Sequence, residues 1–224
     1  MKEGRLFIGS KRYSSWSLRG WLAVHFAGLP VEEVVIALAG GATPEVKAAT
    51  PAGFVPYLEH DGARIWDSLA ICEYCAEISP SLWPEDRVQR AALRSASAEM
   101  HSGFQALRRG FPTIMGGRAG EAARDAQMNE DAAKDIARVV ALWDELLDMS
   151  GGPFLHGPVM GIADAMFAPV ATRFRTWAID LPPRAAAYVD HVHDHPLIRR
   201  WFAEAAREPD EWRIEPYETR LAGA

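Results

Sequence analysis

The chain has 224 residues, 49% of them hydrophobic, and a formal net charge of −6 with both signs interspersed. That length suits one large or two small domains with a sizeable core, and the mildly acidic balance argues against a general nucleic-acid binder. No stretch approaches the roughly 20 apolar residues that cross a bilayer, the opening Met1-Lys2-Glu3-Gly4-Arg5 lacks a targeting pattern, and Cys72 and Cys75 are too few for a disulfide framework, so cytoplasmic residence is expected.

In chain order, Leu6 to Gly9 reads as a buried strand and Ser17 to Ala27 as a helix closed by Gly28 and Pro30. Val31 to Leu38 is rich in β-branched residues, 39–44 is a Gly/Pro-bearing loop, and Glu45 to Ala49 suits one helical turn. Val55 to His60 and Ala63 to Trp66 read as strands joined by the Asp61-Gly62 turn, and Asp67-Ser68 opens a helix to about Ile78. The β-α-β start predicts a parallel pair, and the hairpin adds antiparallel strands. A hinge, 79–86, carries two prolines. Beyond it the periodicity predicts helices over Arg87 to Arg109, Glu121 to Met149, Ile162 to Ile179, Ala185 to His193 and Pro196 to Ala206.

The motif with most chemistry is Tyr13-Ser14-Ser15-Trp16-Ser17 at the first strand-to-helix junction. A hydroxyl there caps the helix, or faces an anion drawn to the unpaired amides and aligned dipoles of the helix N-terminus. Asp67-Ser68 offers the same two uses at the later helix. Two other motifs are set aside. Cys72-Glu73-Tyr74-Cys75 has redox spacing but falls inside a helix, where small buried apolar roles are usual. His191-Val192-His193-Asp194-His195 alternates by two, which on a helix sends the rings to different faces, so no metal is expected.

The element order, with Ser14-Ser15, Val55-Pro56 and Asp67-Ser68 in these places, resembles the cytosolic glutathione transferase superfamily over nearly the whole chain. Ser14-Ser15-Trp16-Ser17-Leu18-Arg19 is most similar to the serine-type zeta (maleylacetoacetate isomerase-like) motif Ser-Ser-Cys-Ser-x-Arg, with Trp16 in place of cysteine. Gly161-Ile162-Ala163-Asp164-Ala165 resembles the family's buried helix start, Ser/Thr-x-x-Asp, with Gly161 in place of the hydroxyl.

The resemblance implies a thioredoxin-like α/β domain over 1–80 with a mixed four-stranded sheet, a linker over 81–86, and an all-helical substrate and dimerisation domain over 87–224. It implies glutathione as co-substrate, a small electrophile as second substrate, a homodimer, no metal and neither nucleic acid nor membrane as partner. Ser14 would donate a hydrogen bond to the glutathione sulfur, with Ser15 in reserve and the Tyr13 phenol third. The resemblance makes Pro56 cis, so that the Val55 backbone pairs with the cysteinyl unit. Asp67 and Ser68 would take the γ-glutamyl group. Phe54 stands where relatives carry a basic residue, leaving Lys47, Lys11 or Arg12 for the glycine carboxylate. Trp16, His101 and Arg108, with Phe104 and Arg109, are the electrophile-side candidates. Arg173 and Arg175 fall on a later helix, where ungapped matching puts Thr176 at the position of the isomerases' substrate-binding arginine. Conjugation of the thiolate to small hydrophobic electrophiles is the leading function. Glutathione-dependent isomerisation, disulfide reduction, and glutathione binding without turnover are the alternatives.

Overall fold

The computed structural model describes residues 4–223; Met1-Lys2-Glu3, part of the targeting reading, lie outside the described residues. β1 (Gly4–Gly9) is the inner strand of a mixed sheet ordered β2-β1-β3-β4. Leu6 and Ile8 are fully buried and Phe7 nearly so, which is why the strand reads as a continuous apolar run rather than an alternating one. β2 (Val31–Ile36) pairs parallel on one side through the crossover helix α1 (Ser15–Phe26). β3 (Tyr57–His60) pairs antiparallel on the other and turns into β4 (Ala63–Ile65). Asp61 and Gly62 both take positive φ (47° and 76°), as a tight two-residue hairpin requires. α2 (Pro44–Ala49) precedes β3, and the Val55–Pro56 peptide is cis. α3 (Ser68–Ile78) follows β4, and a single 3-10 turn, Pro80–Leu82, occupies the hinge.

Helix α1 packs on α3 and, on its other side, against α8 (Ile162–Thr176). Leu18, Trp21, Leu22, Ala23 and Val24 have no exposed surface. Gly20 lets α1 approach the sheet, since a Cβ there would sit 3.0 Å from the Pro56 ring.

The helical region differs from the expected one at three places. The 87–109 segment is two helices, α4 (Arg87–Ser102) and α5 (Gln105–Gly110). The break falls at Phe104, which adopts φ 59° while burying its ring. The freed amide of Leu107 is taken by Asp135 Oδ2 at 2.9 Å, a partner from a distant helix that local periodicity does not reveal. The 121–149 segment is also two, α6 (Glu121–Gln127) and α7 (Glu130–Ser150), because Asn129 caps the second by accepting from the Ala132 amide at 2.9 Å. α9 (Pro183–Asp194) and α10 (Pro196–Ala205) follow. An unexpected α11 (Glu215–Ala222) has no fully buried residue and so leaves little hydrophobic signature.

α8 is buried along nearly its whole length, and Asp164 secures its start. The carboxylate accepts from the amides of Leu155 (2.8 Å), His156 (3.2 Å) and Gly161 (3.0 Å), and from the Tyr188 hydroxyl (3.1 Å). Burial pushes its pKa up, and these four donors oppose that shift. Gly161 takes the cap position because a Cβ there would meet the His156 ring at 2.4 Å and the Leu82 carbonyl at 2.9 Å.

The β1–α1 loop is held from the far end of the chain. Lys11 Nζ donates to Glu33 (2.6 Å) and Glu204 and lies between the Trp21 and Trp201 rings. Glu208 accepts from the backbone amides of Lys11 (2.5 Å) and Arg12 (3.0 Å).

Two predictions follow from these contacts. Asp164→Ala strands four buried donors and should cost at least about 3 kcal/mol of unfolding free energy in urea melts. Burial raises the Glu33 and Glu204 carboxyls, but hydrogen bonds from Lys11 leave both below the ordinary value of 4.5. Their contribution is therefore complete above 4.5 and lost as pH falls through the lower folded-state values. Hydrogen exchange at residues 10–13 should accelerate over that acid window, and Lys11→Met should flatten the dependence.

Candidate active site

A cleft of about 640 Å³ opens between the N-terminus of α1, the 40–43 loop, α2, the Val55 turn, and residues from α5, α8 and the C-terminal segment. A slightly larger groove, about 730 Å³, runs between α6, α7 and α9, but its polar side chains include the rim pairs Arg124–Asp125 and Arg184–Asp144. The first cleft is the one that gathers hydroxyls, free backbone groups and cations.

Ser14 and Ser15 both line it and both are buried. Ser14 caps α1, its Oγ accepting from the Ser17 amide at 3.2 Å. It also shares a 2.7 Å hydrogen bond with Ser17 Oγ, which in turn accepts from the Gly9 amide at 2.9 Å. Ser15 Oγ accepts from Arg173 Nη2 at 3.3 Å, while Arg173 Nε is held by the Phe111 carbonyl at 2.9 Å. The Trp16 amide, second in the helix, has no hydrogen-bond partner among the described residues. Neither has the amide or carbonyl of Val55.

Tyr13 lines the cleft but its hydroxyl is engaged. It donates to Glu218 Oε1 at 2.5 Å and accepts from the Ile214 amide and Arg12 Nε, each at 3.1 Å. Burial, then the Glu218 bond, push the phenol above its ordinary value, so it stays neutral. Of the three cations considered for a carboxylate, Lys11 is buried in its Glu33–Glu204 knot and Arg12 forks onto Glu218. Lys47 lines the cleft beside Gly53 and Phe54 and forms no ion pair among the described residues. Phe54 is 74% exposed at the rim.

Trp16 is flanked by two guanidiniums, Arg19 at 4.4 Å and Arg108 at 4.7 Å from its ring centroid, and the His101 ring meets it edge-on at 5.4 Å. His101 Nε2 pairs with Asp67 Oδ2 at 3.0 Å. Asp67 Oδ1 caps α3 by accepting from the Leu69 and Ala70 amides, at 2.9 and 3.4 Å. Ser68 is fully buried and its hydroxyl has no partner among the described residues. Asp67, Ser68 and His101 thus lie outside the cleft lining and connect to it through Trp16. Arg109 offers its carbonyl to Arg220, Arg175 pairs with Asp190, Thr176 donates to the Ile114 carbonyl, and Phe104 is buried.

Sequence reasoning missed Thr113, Ile214 and Tyr217, which also line the cleft. Nothing local marks them, since chain reversals bring them there. Arg19 was visible only as the last letter of the serine motif. The two motifs set aside stay apart from the cleft. Burial pushes Cys75 up to about 12 and Cys72 well above its ordinary value, which leaves no thiolate near neutrality. His193 Nδ1 donates to the Val189 carbonyl of its own helix, while His195 caps α10.

Residues 13–78 match the family described as glutathione S-transferase, N-terminal domain. A maleylacetoacetate isomerase of Rhizobium meliloti is 32% identical over 176 residues, covering 75% of this chain and 81% of that protein. The chain belongs to the glutathione transferase superfamily. The mouse maleylacetoacetate isomerase is 29% identical, over 94% of this chain and 97% of its own length. A glutathione transferase homolog from Burkholderia, solved with bound glutathione, superposes with a TM-score of 0.69 at 23% identity, over 92% of this chain and 100% of that one. The Tau class transferase of mango gives the same TM-score at 19% identity, over 99% and 100%. These superpositions establish the transferase fold: a mixed sheet followed by helices.

Within this superfamily chain the Tyr13 phenol is tied to the C-terminal segment rather than free in the cleft. Tyr13→Phe should lower stability by about 1–2 kcal/mol. Amide exchange should rise at 214–218, and the rate of thiol chemistry should hold within a few-fold.

Proposed function

We propose that this transferase binds glutathione in the cleft and transfers its thiolate sulfur to a small hydrophobic electrophile. The observation that carries the reading is the hydrogen-bond chain at the start of α1. Ser17 Oγ accepts from the Gly9 amide and from the Ser14 hydroxyl. Ser14 Oγ accepts from the Ser17 amide, and rotation of its hydroxyl about the Cβ–Oγ bond would turn its proton from Ser17 Oγ toward an acceptor in the cleft. A free thiol has a pKa near ~8.5 and is mostly protonated at neutral pH. A hydroxyl donor, the unpaired Trp16 amide and the α1 dipole together favour the thiolate at that spot.

The rest of the tripeptide is matched by groups along and beside the cleft. The unpaired backbone of Val55, beside the cis Pro56, suits the cysteinyl unit in the manner of an added strand. Lys47 supplies the charge for the glycine carboxylate, with Phe54 a rim contact. At the α3 N-terminus beside the cleft, the exposed Asp67 suits the γ-glutamyl group, and the buried, unpartnered Ser68 hydroxyl would join it on turning outward to the ligand. The sulfur–carbon bond then forms as the leaving group departs with its electron pair, and the thiol proton goes to solvent. Proximity of the two substrates supplies the remaining acceleration.

In this reading residues 1–80 hold the tripeptide, 81–86 link, and 87–224 supply the electrophile wall and a homodimer face. Val88, exposed at the start of α4, suits that face, and exposed Trp66 and Ile78 at the two ends of α3 would extend it onto the first region. Among the described residues no helix is long and apolar enough to cross a membrane, in keeping with a cytoplasmic enzyme. A second reading, glutathione-dependent isomerisation, is favoured by the relatives named maleylacetoacetate isomerase. Conjugation of a chloronitrobenzene assayed beside maleylacetone isomerisation separates the two.

Calorimetry with glutathione tests the site. Wild type should bind, and Ser68→Ala should lose most of the affinity. Ser14→Ala should bind within a few-fold of wild type yet turn over about 10–100-fold more slowly, the equivalent of one hydrogen bond to a charged group. No heat of binding by wild type would overturn the glutathione reading, and unchanged turnover in Ser14→Ala would move the thiol role to Ser15.

A further inference from the structure

Three guanidiniums gather beside the serine pair without forming an ion pair among the described residues. Arg19 has no exposed surface, Arg173 has 4%, and Arg108 is half-buried. None of the three forms an ion pair among the described residues, and Nη1 and Nη2 of Arg19, Nη1 of Arg108 and Nη1 of Arg173 have no hydrogen-bond partner there. Their remaining nitrogens are held by carbonyls and a hydroxyl: Arg19 by Met166, Arg108 by Gly103 and Met100, Arg173 by Phe111 and Ser15. Burial brings Arg108 down to about 10 and Arg173 to about 9. Arg19 is pushed down by burial first, then by repulsion from Arg108 and Arg173. A guanidinium nonetheless keeps its charge near neutrality.

Burying a charge without an ion-pair partner is costly, and placing two guanidiniums against the Trp16 ring with a third on Ser15 is a cost the fold alone does not explain. The nearest anions, Asp67 toward Arg19 and Asp135 toward Arg108, act on them at a distance and form no ion pair with them. Asp67 is engaged by His101, and Asp135 accepts the Leu107 amide. The Tyr217 phenol faces Arg173, and burial keeps the Cys72 thiol beside Arg19 protonated.

We propose that Arg19, Arg108 and Arg173 form an electrostatic activator of the bound thiol, and that the thiolate is their missing counter-charge. The proposal rests on glutathione occupying the cleft. Two features aim the cluster at the sulfur rather than at the second substrate. Arg19 and Arg108 flank Trp16, the residue after Ser14-Ser15, and Arg173 bonds Ser15 directly. Arg19, being wholly buried, cannot touch a ligand and acts only through its field, which a dry interior transmits with little screening. It is a positioning charge: glutathione S–H gives its proton to water, and the cluster stabilises the sulfur anion left behind.

The test is the pH titration of thiolate absorbance in the glutathione complex. Arg19→Met and Arg108→Gln should each raise the midpoint by about one pH unit, as loss of a nearby opposite charge does, and Arg108→Lys should restore it. Affinity for S-methylglutathione, which has no thiol proton, should stay within a few-fold of wild type. If Arg19→Met fails to fold, the Arg108 pair decides alone. Unchanged midpoints with S-methylglutathione still bound would overturn the proposal. So would a rise in KM confined to carboxylated electrophiles, which would give the cluster to the second substrate. Wild type binding neither glutathione nor its S-methyl form would instead remove the glutathione reading, and the activator with it.

Discussion

Helix α1 is the element whose placement everything else serves. It is pressed between α3 and α8, and its inner residues have no exposed surface. Close packing of that kind fixes a helix in position as well as in presence, because a shift of even a methylene's width opens voids or forces clashes. The N-terminus of α1 is therefore delivered to one spot in the cleft, and with it Ser14, Ser15 and the unpaired Trp16 amide. Gly20 permits the approach to Pro56, and Arg19 locks onto the Met166 carbonyl of α8. The catalytic geometry proposed above is thus a by-product of a core contact between the two halves of the molecule.

A second constraint comes from the C-terminal segment. Glu208 takes the amides of Lys11 and Arg12, Glu218 takes Arg12 and Tyr13, and Lys11 is sandwiched between two indoles and two carboxylates. The loop before Ser14 is short and polar, and without these partners its backbone donors would be left to solvent. Its order is borrowed from residues some 200 positions away, an arrangement that adds loop-closure cost but leaves a rigid platform under the hydroxyl pair.

The sheet and the early helices were legible because their signals are local: the apolar run of β1, the Asp61-Gly62 turn, the Asp67 cap. The superfamily was legible because three short motifs fall in order along one chain. What escaped the sequence depends on partners far away. Phe104 breaks a helix whose periodicity runs straight through it, since the compensating acceptor, Asp135, belongs to α7. Asn129 is an ordinary polar residue until its side chain is seen capping a helix. Tyr13 looked available for the thiol, but its hydroxyl is consumed by Glu218 and Ile214. Arg12 and Lys11 looked like carboxylate binders and are spent on internal acids, which leaves Lys47. The arginines without ion pairs were individually visible, yet the placing of Arg19 and Arg108 on Trp16 and of Arg173 on Ser15 is a property of the folded chain alone.

The wall formed by Ile214 and Tyr217 has a bearing on how such a protein diversifies. Ile214 meets the Gly40 loop across the cleft, and Tyr217 stands on a helix without a fully buried residue. Both also meet Tyr13, Ile214 through its backbone amide and Tyr217 through its ring, but neither lies on α1, α3 or α8. Substitutions there can reshape the space beside the sulfur while the thiol-binding groups keep their positions. Substrate preference can then shift through those two side chains, within limits set by Glu204, Glu208 and Glu218 of the same segment, which also hold the loop before Ser14.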